Sequence, residues 1–150
     1  MGICVVKFRG TWLLHILLLY IIMIKIKAIS PDGEALLSFR TQVVSSDGIL
    51  LQWRPEDPDP CKWKGVTCDT NTKRVVFLSL KNHKLSGSIS PDLGKLDRMK
   101  ILTLHNNNFY GTIPSELGNC TVLQGLHLQG NYLSGLIPSE LGNLSELQNL

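Results

Sequence analysis

At 150 residues the chain has room for one domain and a targeting segment, and its formal net charge is +3. Four cations, Lys7, Arg9, Lys25 and Lys27, stand before Ile29 with no acid among them; from Ile29 onward, 11 basic residues meet 12 acidic ones. A body so nearly neutral gives no electrostatic case for nucleic acid or an anionic membrane surface as a partner.

Lys7 and Arg9 precede a run from Trp12 to Ile24 that only His15 and Tyr20 interrupt. A basic start followed by an apolar stretch of about 13 residues predicts a secretory signal peptide over 1–28, too short for a membrane span of about 20 residues. Cleavage after Ala28 has Ile26 at the −3 position, and Lys25 and Lys27 come after the apolar run; a retained signal anchor is the competing reading. Cleavage removes Cys4 and sends the rest of the chain to an oxidising compartment.

Residues 29–74 read as an N-terminal cap. Ser30-Pro31-Asp32-Gly33-Glu34 supplies a capping Ser or Asp, an early Pro and an acid in the first turn of a helix. Ala35, Leu36, Phe39 and Val43 give it an apolar stripe, and Ser45-Ser46-Asp47-Gly48 ends it. A short apolar segment, Ile49–Trp53, leads to a Pro- and Asp-rich stretch that is extended and turn-like. Cys61 and Cys68 lack the second ligand pair of a zinc site and the Cys-x-x-Cys of a redox centre. In a secreted chain they predict a local disulfide, contributing about 2–3 kcal/mol. Trp53 and Trp63 flank it as apolar cover for the open end of the repeated segment that begins at Val75.

From Val75 the sequence repeats every 24 residues, giving units 75–98, 99–122 and 123–146 and the opening of a fourth at 147–150. Gly87, Gly111 and Gly135 coincide, as do Ile89, Ile113 and Ile137. The unit reads Leu-x-x-Leu-x-Leu-x-x-Asn-x-Leu-x-Gly-x-Ile-Pro-x-x-Leu-Gly-x-Leu-x-x, which predicts an α/β fold: a right-handed solenoid of leucine-rich repeats with parallel strands on its concave face. The period-2 core points Leu78 and Leu80 inward and Phe77, Ser79 and Lys81 outward. Asn107 and Asn131 should form a ladder that satisfies turn backbone, begun weakly because repeat 1 has a solvated His83 at that position. The repeat glycines fit turns with positive φ. Cys120 takes an inward leucine slot as a buried thiol. Asn119 and Asn143 head Asn-x-Ser/Thr sequons and directly precede inward residues, so both should face solvent as glycosylation acceptors.

The order of helix, Trp53, Asp59-Pro60-Cys61-x-Trp63-x-Gly65-Val66-x-Cys68 and 24-residue units carrying Gly-x-Ile-Pro resembles the ectodomain of plant leucine-rich-repeat receptor-like kinases. Residues 29–39 and 53–61 look most like the FEI group of that family. The resemblance implies a cell-surface signalling protein, linked in the FEI case to cell-wall synthesis. It also implies further repeats, a membrane span and a cytoplasmic Ser/Thr kinase domain beyond Leu150, so that the sequence reads as truncated and attaches to a membrane only through that later part or an uncleaved anchor. A secreted inhibitor resembling polygalacturonase-inhibiting proteins, or a kinase-less decoy or remnant, is the second reading.

No triad, paired-carboxylate motif, phosphate-binding loop, metal cluster or cofactor motif stands out, and the glycines are periodic and therefore architectural; the expectation is a non-catalytic chain. Partner binding is expected on the outward strand columns Phe77–Ile101–Gly125, Ser79–Thr103–His127 and Lys81–His105–Gln129. The expected partner is an extracellular protein or peptide, or another leucine-rich-repeat receptor. Phe77 beside Ile101 is an outward apolar pair that suits a contact.

Overall fold

The computed structural model describes residues 29–149, together with His15 and Ile16. The rest of the expected signal segment lies outside the described residues. Helix α1 (Pro31–Thr41) starts where the capping signals put it: the Ser30 hydroxyl accepts from the Gly33 N–H at 3.2 Å, with Pro31 in the first turn. Ala35, Leu36 and Phe39 bury its inner face. The helix stops at Thr41, short of the expected Ser45–Gly48, and Val43 is not its last stripe residue. The two β-branched residues Val43 and Val44 instead form β1, which pairs antiparallel with β4 (Ser86–Gly87) of the first repeat.

Each repeat then runs along three sides of the solenoid. The concave side is a sheet in the order β2 (Val66–Cys68), β3 (Val75–Ser79), β5 (Ile101–Thr103) and β7 (Gly125–His127). β2, from the cap, is antiparallel to β3; β3, β5 and β7 are parallel, with Leu78, Leu102 and Leu126 in register. A second sheet, β1–β4–β6–β8, adds β6 (Asn108–Gly111) and β8 (Tyr132–Leu133). The third side stacks three 3-10 helices, η1 (Pro91–Lys95), η2 (Ser115–Asn119) and η3 (Ser139–Asn143), with α1 against η1. Pro91 opens η1 behind a Ser90 cap, whereas Pro114 and Pro138 hold the extended residue before η2 and η3.

The turn glycines Gly87, Gly111 and Gly135 have φ of +130°, +84° and +83°, as expected. Gly94 has another reason: a Cβ there would stand 2.2 Å from the Glu116 carbonyl oxygen, so glycine lets η1 and η2 stack closely.

One core runs from the cap through the repeats. Trp53 and Trp63 are buried and stacked at 5.3 Å, Phe39 lies 6.4 Å from Trp53, and Phe109 of the second repeat lies 6.0 Å from Phe39. Cys61 and Cys68 form the expected disulfide, closing the cap beside Trp63. Along the isoleucine column burial fades, from 2% exposure at Ile89 to 63% at Ile137.

The asparagine ladder is complete in the first step, contrary to the weak start expected. Asn107 Oδ1 accepts from the His83 and Leu85 N–H groups at 3.0 and 3.1 Å, while its Nδ2 donates to the Leu80 and Leu104 carbonyls at 2.7 and 2.9 Å. Asn131 repeats this with Phe109, Leu104 and Leu128. Each asparagine serves the turn of the preceding repeat, so repeat 1 needs none of its own. His83 is half-buried, and its Nδ1 lies 2.5 Å from Asp47 of the cap. Replacing Asn107 by alanine strands the Leu80 carbonyl and the His83 and Leu85 N–H groups, while the Leu104 carbonyl keeps its bond from Asn131; a loss of about 2–4 kcal/mol in urea unfolding is expected.

Candidate recognition surface

The outward columns assemble as the period requires: Phe77 pairs with Ile101 and Gly125, and Ser79 with Thr103 and His127. Lys81, His105 and Gln129 come one step on, where the Asn82 N–H meets the His105 carbonyl and the Asn106 N–H that of Gln129. Exposure is uneven. Phe77, Ser79, Lys81 and Gln129 are exposed, and Ile101, His105 and His127 are half-buried. Thr103 and Gly125, expected as contact residues, are buried. Thr103 sits mid-sheet with a neighbour on either side, and the His127 ring leans over Gly125, its Nε2 within 3.1 Å of the position a Cβ would take. The available surface is therefore the apolar pair Phe77–Ile101 bordered by polar side chains. The Nδ1 of His105 is buried without a hydrogen-bond partner.

Beside these columns, a charged junction joins cap to repeats. Asp32, buried in the first turn of α1, receives Arg74 Nε at 3.1 Å on both oxygens and Nη2 at 2.9 Å, and the Val75 N–H at 2.7 Å. Arg74 also reaches Asp97 at 2.5 Å. Bonding to Asp32 raises the Arg74 pKa above its ordinary value. In the other corner, the His83 contact draws the Asp47 pKa down to about 2, so that contact of Asp47 with His83 is present at neutral pH and lost as pH falls through that value. Sequence reading missed the junction entirely, since nothing local ties position 32 to position 74.

Asn119 and Asn143 end η2 and η3 and are exposed. Cys120, next to Asn119, is a free and fully buried thiol whose pKa burial pushes up to about 12. It behaves as the small hydrophobe its leucine slot implies.

A parallel-strand solenoid with 24-residue turns, an asparagine ladder and a helical, disulfide-closed cap is a leucine-rich-repeat recognition fold. The chain belongs to the leucine-rich-repeat family: residues 29–69 match the leucine rich repeat N-terminal domain, and residues 98–120 and 122–144 the leucine rich repeat itself. It is similar to the LRR receptor-like serine/threonine-protein kinase FEI 2 of Arabidopsis thaliana, 60% identical over 101 residues that make up 67% of this chain and 17% of that protein. The crystal structure of PEPR1–AtPEP1 superposes with a TM-score of 0.75 at 39% identity, over 79% of this chain and 17% of that one. That of the Arabidopsis receptor kinase HAESA with the peptide hormone IDA and the co-receptor SERK1 gives 0.72 at 30%, over 81% and 21%. The chain thus spans about a fifth of these relatives or less. The resemblance to the N-terminal part of plant receptor-like kinase ectodomains holds, and with it the non-catalytic fold; the 150 residues contain no kinase domain.

Proposed function

We propose that this chain is the beginning of the extracellular recognition module of a plant receptor-like kinase, and that its concave sheet contacts a peptide or protein, including other leucine-rich-repeat receptors. The observation that carries this reading is the Phe77–Ile101 pair, which has no core to serve and stands in register on adjacent parallel strands. Two of the similar ectodomains were crystallised with peptide ligands, AtPEP1 and IDA. Substituting Phe77→Asp and Ile101→Asp together is expected to weaken binding at least tenfold in titrations against a panel of plant peptide hormones and SERK-type ectodomains. Unchanged affinity for every partner that binds the parent chain would falsify the assignment.

The proposed route is the secretory pathway, ending outside the plasma membrane or in the apoplast, with 1–28 as the signal and glycans on Asn119 and Asn143. Expressed in plant cells, the chain should begin at Ile29 by mass spectrometry. Asn119→Gln and Asn143→Gln should each remove one endoglycosidase-sensitive step in gel mobility. An unprocessed N-terminus with no such step contradicts the route.

A further inference from the structure

Along the edge of the concave sheet, between the cap and the first two repeats, runs a cleft of about 580 Å3 lined by Asp69, Arg74, Val76, Arg98, Lys100 and Val122, among others. Arg74, Arg98 and Val122 hold one slot in successive 24-residue turns, and Val76 and Lys100 directly precede Phe77 and Ile101. The cleft and the apolar pair of the concave face are therefore one continuous surface.

Its charges are not equally committed. Arg74 is bound to Asp32 and Asp97. The Asp69 carboxylate takes the N–H groups of Asn71 and Thr72 at 3.0 and 2.8 Å and the Thr72 hydroxyl at 2.9 Å, all on Oδ1; these bonds, with a smaller contribution from the charge of Lys100, hold its pKa below the usual range. Arg98 and Lys100 are exposed and enter no ion pair among the described residues. Two free cations beside an apolar wall of Val76 and Val122 complement a ligand that is anionic and apolar at once.

We infer that this cleft receives an acidic side chain of a peptide whose neighbouring apolar residue rests on Phe77 and Ile101. The inference builds on the reading of the concave sheet as a recognition surface and adds the chemistry of the ligand. An acidic polysaccharide would satisfy the cations too, but Val76, Val122, Phe77 and Ile101 offer its hydroxyls no hydrogen-bond partner, so the peptide is favoured.

Fluorescence anisotropy of the secreted chain tests this with three probes: a labelled peptide alternating leucine and glutamate, its lysine-for-glutamate counterpart, and a labelled oligogalacturonate. The acidic peptide should bind, and more weakly as salt rises to about 0.15 M. The lysine peptide should not bind. Arg98→Gln with Lys100→Gln should weaken the acidic peptide about five- to tenfold, two exposed charge contacts being lost, with the thermal unfolding curve unchanged. No binding of the acidic peptide, equal binding by that double variant, or binding of the oligogalacturonate alone overturns the inference. Phe77→Ala with Ile101→Ala separates the two claims. If only this variant loses the peptide, the cleft is wrong and the concave surface stands; if neither variant changes binding, both are wrong.

Discussion

Trp53→Ala is expected to cost about 3–5 kcal/mol, the range for removing a large buried aromatic, out of a total stability on the order of 5–15 kcal/mol. The ring is fully buried, lies nearly parallel to Trp63 at 5.3 Å, and donates its Nε1–H to the Lys64 carbonyl at 3.1 Å. Its own carbonyl accepts from Arg40 of α1. Truncation therefore opens a cavity at the point where helix, disulfide loop and first repeat converge, and it strands the Lys64 carbonyl. The damage should travel, because Trp63, Trp53, Phe39 and Phe109 form one aromatic series from the cap to the second repeat. A solenoid joins its units through neighbour contacts, so an end that loses its cover frays inward. Urea unfolding followed by tryptophan fluorescence and far-UV circular dichroism measures the loss. Leu51→Ala is the control: Leu51 is in the same apolar segment but 74% exposed, and should change stability by no more than about 0.5 kcal/mol. A Trp53 variant within about 1 kcal/mol of its parent, on the order of a routine substitution, would remove the cap from any part in stabilising the repeats.

What could be read from the sequence was what repeats or stays local. The leucine columns were legible because a period of 24 residues shows Leu78, Leu102 and Leu126 as one position seen three times, and alternation then fixes which neighbours face out. The Cys61–Cys68 link and the Ser30 cap were legible because each closes within a few residues. The second sheet was not: β4 and β8 are two residues long, too short to display a period, and exist only because neighbouring turns line them up. Val43 misled for a related reason. It fits a helical stripe by spacing, yet its place is decided by β4 more than 40 residues later in the chain. On the recognition surface, the outward direction of Thr103 and Gly125 was readable, but their burial depends on side chains in the flanking strands, above all the ring of His127. The cleft beside Arg98 and Lys100 depends on how the cap loop at Asp69 packs against the repeats, which no single repeat encodes.

Asp32→Ala should be the other severe substitution, with an expected loss of about 2–3 kcal/mol, the lower part of the range for breaking a buried ion pair because Arg74 keeps a third of its surface in water. The carboxylate is 2% exposed and binds three N–H donors on two adjacent residues: Nε and Nη2 of the Arg74 guanidinium, and the N–H of Val75 at the start of β3. Val75 is itself fully buried, so its N–H has no solvent to turn to once the acceptor is gone. Asp32→Asn separates the contributions. The amide oxygen still accepts from Val75 while the charge is removed, so Asn should recover roughly half of the loss if hydrogen bonding to Val75 carries as much as the ion pair. Arg74→Met, in a double-mutant cycle with Asp32→Ala, isolates the pair itself; a coupling of about 1 kcal/mol or more is expected for groups in direct contact. Asp97 complicates the cycle in a useful way. With Asp32 absent, Arg74 still has Asp97 near the end of the first repeat, so the single Asp32 variant should leave the guanidinium ordered while the helix loosens from β3. Hydrogen exchange would register this as lost protection in α1 and at Val75, with the amides of β5 and β7 unchanged. Uniform loss across all strands would mean that Asp32 supports the whole solenoid and does not act at the cap alone.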